Sequence, residues 1–213
     1  AAALLAFPVG GLVTELIHPL HPPHDLAERL AAAEPPDFAP GSPTLCIDGP
    51  EFMAALSADL AAAEHRAVVQ TLSFEADAAG TALAAALVAS PAAEKTLLID
   101  AYSRFVQSDK LIYAPTRLLD VPLGEETART RRLLEHLEAH GVRVAYGRAY
   151  GPGRDNLVAR DHKKIIVVDD AAYLGGINFS AHNFLWHDLM LRIDDADAVV
   201  ETVTGYALNG RIE

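Results

Sequence analysis

The sequence predicts an α/β fold, a mixed β-sheet flanked by helices on both faces, and three features carry that expectation. From residue 44 onward, short runs rich in β-branched residues alternate with segments of helical spacing. Glycine and proline punctuate the joints between them. After residue 162 strands follow one another with no helix between. With 213 residues, 51% of them hydrophobic, the chain can bury one domain well, with a short arm besides.

Taken in order, Thr44–Asp48 reads as a short strand. Pro50 then sits where a first-turn proline belongs, and Phe52, Leu56 and Leu60 recur at helical spacing through about His65. Ala67–Phe74 is a buried strand, and Ala79–Ser90 is an alanine-rich helix stopped by Pro91. Thr96–Asp100 is a strand ending in an acid. Tyr102–Gly124 has no clear period, contains Pro115 and Pro122, and reads as a long irregular connection of the kind that carries function. Glu125–His140 is a helix closed by Gly141, followed by the strand Val142–Tyr146 and the turn Gly151-Pro152-Gly153. The last strands are Lys163–Val168, Ala172–Ile177 and Leu189–Ile193.

Residues 1–43 form a separate proline- and histidine-rich arm with one short helix at Asp25–Ala33. Its apolar start, Ala1–Val13, is interrupted by Pro8, Gly10 and Gly11 and falls short of the roughly 20 residues that span a bilayer. His18, His21 and His24 are separated by prolines that keep them off any common face, so no metal site is expected there. The single cysteine, Cys46, excludes a disulfide framework and a Cys-based zinc site. A net charge of -12 argues against non-specific nucleic-acid binding, though it leaves room for a local basic pocket.

The chemistry lies in Asp161-His162-Lys163-Lys164-Ile165-Ile166-Val167-Val168-Asp169, followed by Gly175-Gly176-Ile177-Asn178. Side chains alternate along a strand, so His162 and Lys164 share one face and Lys163 takes the other. An imidazole and an ammonium about 7 Å apart can straddle one phosphate, the first attacking or moving a proton, the second neutralising oxygen charge. Gly175 and Gly176 leave space for backbone amides to approach phosphate oxygens, and Asn178 adds an amide donor. A chance His-x-Lys-x4-Asp is expected roughly once in eighty chains of this composition, and the added Gly-Gly-x-Asn makes coincidence far rarer.

These residues resemble the signature of the phospholipase D superfamily, the HKD motif His-x-Lys-x4-Asp followed by Gly-Gly/Ser-x-Asn. Asp48–Phe52, Gln70–Phe74, Leu98–Tyr102 and Trp186-His187-Asp188 resemble the N-terminal half of cardiolipin synthase-like members, over roughly residues 44–200. One departure is a gap between Asp169 and the glycine pair that is one residue short, which falls on the turn at Asp170–Ala172. The resemblance implies an α-β-α sandwich with one half of an active site in residues 44–213. It also implies phosphodiester cleavage on phospholipids, by hydrolysis or phosphatidyl transfer through a phosphohistidine, in a bacterial-type protein that is cytoplasmic or peripheral to a membrane.

On that resemblance His162 is the nucleophile or the acid, Lys164 and Asn178 hold phosphoryl oxygens, and Asp188 hydrogen-bonds the far nitrogen of His162 to fix its tautomer. Asp169 completes the candidate catalytic set, although strand parity turns it away from His162 and makes it a support. Neither a metal nor any other cofactor is required. Tyr102, Arg104 and Lys110 are candidates for headgroup contacts, while His182 and His187 read as polar loop residues. One His-x-Lys cannot stand on both sides of a phosphorus. A second half is therefore expected, from a further domain beyond Glu213 or from a homodimer partner. The missing initiator Met and the likeness to N-terminal halves favour the former. The alternatives are a homodimeric single-motif phosphodiesterase or nuclease and a phosphate-binding half-domain that does not turn over.

Overall fold

Thr44–Ile47 (β1) runs straight into the helix Asp48–Ala62 (α1). The Glu51 carboxylate starts that helix by reaching back to accept the Ile47 N–H at 2.8 Å, one half of a capping box. Arg66–Thr71 (β2) follows, then Ala78–Ala89 (α2), whose first turn is held by the Asp77 side chain accepting from Ala79 N and Gly80 N at 3.0 and 3.2 Å. The chain continues through Glu94–Asp100 (β3), a 3₁₀ turn at Ala101–Arg104, and the two-residue strands Val106–Gln107 (β4) and Lys110–Leu111 (β5). Val121–Ala139 (α3) and Arg143–Gly147 (β6) come next. Lys164–Val168 (β7), Ala171–Gly175 (β8), a 3₁₀ turn at Asn183–Leu185 and Leu189–Ile193 (β9) complete the order. This computed structural model describes residues 43–107, 110–112, 120–147 and 162–194, all within one compact unit. The proline- and histidine-rich arm, Pro115, the turn at Gly151–Gly153 and the residues after Asp194 lie outside the described residues.

Seven strands make one mixed sheet in the order β1-β9-β8-β7-β2-β3-β6, flanked by helices as expected. β2, β3 and β6 are parallel, with α2 and α3 as their crossovers, whereas β7, β8 and β9 pair antiparallel in succession. The three described helices all bury their apolar sides on one face. Phe52, Leu56 and Leu60 of α1, Leu83 and Leu87 of α2 and Leu137 of α3 meet Val69, Leu97, Ile99, Ile166 and Tyr173 in one core cluster. The other face is buried too, with Val167 and Ala172 at 0% exposure. Among the described residues no helix packs on that face. An ion cluster pins α1 to the antiparallel half: Arg192 grips the Asp59 carboxylate in two-pronged fashion, at 2.8 and 3.1 Å, and the Tyr173 hydroxyl donates to it at 2.5 Å. The Asp59 hydrogen bond holds the guanidinium protonated, while burial and Asp59 together raise the tyrosine pKa.

Several boundaries differ from the sequence reading, each for a local reason. α3 begins at Val121, not Glu125, because Pro122 stands in the first turn, where a missing N–H costs nothing, and Asp120 caps it. The connection read as irregular contains the 3₁₀ turn and the β4–β5 ladder, elements too short to show a period. The shortened gap after Asp169 is a two-residue hairpin, with Val168 paired to Ala171. Gly141, at φ 78°, ends α3 as expected. Among the described residues no helix is long and apolar enough to cross a membrane.

Candidate functional site

The carboxyl ends of β2 and β3 lie beside the start of β7, the end of β8 and the start of β9. Open α/β sheets place ligands at such an edge. Lys164 is paired with Gly175, and Thr71 lies one step beyond the Gln70–Ile165 pair of β2 and β7, so these residues line up across the sheet. Lys164 is 2% exposed, and its Nζ stands 3.0 Å from His162 Nδ1 and 2.6 Å from the His162 carbonyl oxygen. His162 and Lys163 are both exposed, at the point where the chain enters β7. An ammonium only donates, so in this arrangement Nδ1 accepts and the other ring nitrogen carries the proton of a neutral imidazole.

His162 opens onto a cavity of about 280 Å³ whose lining includes Ser73, Glu75, Gly176, Asn178, His182 and Asp188. Two chain segments build its floor, the stretches that leave β2 and β8, tied by the Glu75 N–H donating to Phe179 O at 3.1 Å. Thr71 Oγ1 lies 3.0 Å from Ser73 O and 3.4 Å from Asn178 Oδ1, and its single hydrogen serves one of these two acceptors at a time. Asp77 ties the same segment to α2 by accepting from Ala181 N as well as from its own helix.

Asp188 reaches this cavity by a route the sequence did not suggest. Its backbone is clamped by Asp48, which accepts the Asp188 N–H at 3.2 Å through its side chain and donates its own N–H to Asp188 O at 2.8 Å. Asp48 adopts φ 64°, a backbone strain held by this clamp. The expected Asp188–His162 hydrogen bond is not formed. The carboxylate accepts from Leu189 N at 2.7 Å and lies over Gly176, where an added Cβ would come within 2.3 Å of it. The glycine pair therefore clears space for β9 and Asp188: a Cβ at Gly175 would stand 2.2 Å from Leu189 O. Gly176 N donates to Leu189 O at 3.1 Å, so that amide is not directed at a phosphate.

Asp169 is at the far end of β7, roughly 20 Å from His162 by strand rise, and takes no part in the cavity. Its carboxylate accepts N–H bonds from Glu64 at 2.8 Å, His65 at 3.0 Å and Arg66 at 2.8 Å. Burial works to raise its pKa, but these three donors, with His65 nearby, outweigh it and hold the carboxyl below the usual range. Asp169 thus corrects the candidate catalytic set of His162, Lys164, Asp169 and Asp188. It is an anchor with an unusual backbone, φ 47°, in the hairpin.

Glu75, 5% exposed, and Asn183 border the cavity without any sequence signal, since both sit on turns with no period. His182, read as a polar loop residue, also lines it, with Nδ1 3.2 Å from Ser180 Oγ and its ring edge-on to Trp186. His187 instead sits 3.2 Å from Asp48 Oδ2. Of the headgroup candidates, Tyr102 borders the His162 cavity and Arg104 a neighbouring one, while Lys110 lines neither. Among the described residues no three His, Cys, Asp or Glu side chains group as a metal ion would need.

The fold is that of phospholipase D-type proteins. The phospholipase D family member Nuc from Salmonella typhimurium superposes with a TM-score of 0.55 at 15% identity, over 81% of this chain and 99% of that one. NucT from Helicobacter pylori gives 0.52 at 17%, over 79% and 96%. Phosphatidylserine synthase from Haemophilus influenzae gives 0.53 at 17%, over 78% of this chain but 37% of that one. No family model and no curated protein matches the sequence.

Proposed function

We propose that this chain cleaves phosphodiesters by phospholipase D-type chemistry, acting on phospholipids by hydrolysis or phosphatidyl transfer. The observation that carries the reading is the exposed His162 imidazole held 3.0 Å from the buried Lys164 ammonium at the mouth of a cavity bordered by Asn178. A phosphate entering there meets both groups at once. Lys164 moves from Nδ1 to a phosphoryl oxygen, and Asn178 donates to another. Nδ1 then takes the ring proton and can donate it to Asp188, leaving the opposite nitrogen free to attack phosphorus. The phosphorus–oxygen bond to the departing alcohol breaks, and an acid from a second half-site protonates that oxygen. Water or an acceptor alcohol then attacks the same phosphorus, the phosphorus–nitrogen bond breaks, and His162 leaves as the free imidazole.

The lipid reading is supported by the cavity rim. Leu185 is 85% exposed and Trp186 57%, an apolar edge around a polar centre, suited to acyl chains or to a second half-domain. A second reading, a homodimeric single-motif phosphodiesterase, is favoured by one finding: the alignment spans nearly the whole length of Nuc and NucT but 37% of phosphatidylserine synthase. Two measurements test both. Turnover quenched in alkaline denaturant, on phosphatidylglycerol vesicles and on a water-soluble phosphodiester, should trap the substrate's phosphoryl ester on His162 only with the preferred substrate, and trapping with neither would sink the chemistry. Sedimentation separates the arrangements, since a stable dimer with full activity favours the homodimer.

A further inference from the structure

The cavity that holds His162 shares a wall with a second one. Along Ala101–Gln107, Tyr102 and Val106 border the first cavity, Arg104 and Gln107 the second, and Ser103 both. The second measures about 460 Å³ and runs between this wall, α3 and Tyr146. Its polar character is one-sided. Arg104 stacks on the Tyr146 ring, 3.9 Å from the centroid, which fixes the plane of its guanidinium at the rim. Arg131 enters from α3, its pairing with Glu135 a loose 3.6 Å contact between exposed side chains. No Asp or Glu is among the described residues that line it.

Gln107 marks the site as built to receive something. Its side chain is 3% exposed, and its Nε2 has no hydrogen-bond partner among the described residues. A buried amide donor left without an acceptor is costly, and native chains keep such groups where a ligand or water meets them. Two neighbouring hydroxyl hydrogens are already spent: Ser103 Oγ donates to Leu72 O at 2.7 Å and Thr127 Oγ1 to Leu123 O at 2.8 Å. The unmet Nε2 donor of Gln107 stands with two guanidiniums, which only donate and are cationic. That set recognises an anion.

We infer that this second cavity is a subsite for a phosphate group carried by the alcohol that leaves or enters at His162. The inference rests on the phosphodiesterase reading, because the shared wall gives the two cavities their joint meaning. By microscopic reversibility the leaving and entering alcohols pass through the same place, so one subsite serves both. The substrate class is then a phosphodiester whose alcohol bears a second, terminal phosphate.

The test is side-chain amide NMR on the full chain, titrated with sn-glycerol 3-phosphate, with inorganic phosphate and with neutral glycerol. The Gln107 amide pair is assigned by its disappearance in Gln107→Leu, and the His162 ring signals are followed in the same samples. Glycerol 3-phosphate should shift the Gln107 pair and glycerol should not, and either Arg104→Ala or Arg131→Ala should weaken the response roughly tenfold. A Gln107 pair that ignores both anions overturns the subsite, as does a response undiminished in the arginine variants, which marks a buried water only. His162 signals that respond while Gln107 stays silent leave the phosphodiesterase reading standing and remove the subsite alone. A Gln107 response to inorganic phosphate as strong as to glycerol 3-phosphate overturns the assignment to an alcohol and leaves a simple anion site.

Discussion

The two ends of β7 belong to one short stretch of sequence and do opposite things. At its start His162 is exposed, and its imidazole meets the Lys164 ammonium at 3.0 Å. At its end Asp169 is tied by three backbone N–H groups to the turn that joins α1 to β2. One end is left open to a cavity, and the other is over-determined and structurally closed. The motif thus divides, as strand parity implied, into the His162–Lys164 pair and an anchor, separated by a buried strand.

The comparison is most sharply broken at His162. His162→Asn should lower turnover by about 10⁴-fold or more while leaving the thermal transition in place, and near-normal turnover would end the mechanism. Lys164→Ala should cost about 10²–10³-fold in kcat, the usual loss when one stabilising donor is removed. Asp169→Asn should leave activity per folded molecule unchanged but destabilise by about 1–3 kcal/mol in urea denaturation, because an amide cannot accept all three N–H bonds.

The pH dependence of that last loss has a definite sign. Asp169 has a folded pKa below its unfolded one, so its contribution is complete above the ordinary carboxylate pKa of about 4 and is lost as pH falls through the folded value. Denaturation of the two forms should therefore differ at pH 7 and converge in strong acid. A gap that widened on acidification would show the carboxyl to be raised. At the small end, Lys163→Ala should stay within about 0.5 kcal/mol and leave the rate alone, as the outward neighbour in the same strand. Chelator added to the complete active site should likewise change nothing, and a loss restored by Mg²⁺ or Zn²⁺ would point to metal-assisted hydrolysis.

Much of this was legible because a strand's period of two is a local property. The shared side of His162 and Lys164, the outward Lys163 and the detachment of Asp169 all follow from counting residues. The role of Gly175 and Gly176 was not legible, because what presses on them is Leu189 and Asp188, brought in by a strand paired only in the folded sheet. Asp188 was found by resemblance, but its orientation depends on Asp48, some 140 residues earlier, and no window along the chain contains both. Glu75 and Asn183 stayed hidden because turns carry no pattern, and Pro122 misled because a proline in a first turn looks like one in a loop.

The pairing of β1 with β9 has a consequence for the order of events during synthesis. The first described strand lies beside the last, so β1 and the strained Asp48 have no partner until Leu189 has been made. At about 5–20 residues per second the ribosome needs roughly 7–28 s to cover that interval. The nascent chain can form the parallel half of the sheet in that time, from contacts closer in sequence. Asp188 takes its place beside His162 only when the edge closes. The cavity around His162 is therefore closed late, and a chain stopped before Leu189 carries the His162–Lys164 pair without the wall that Asp188 supplies.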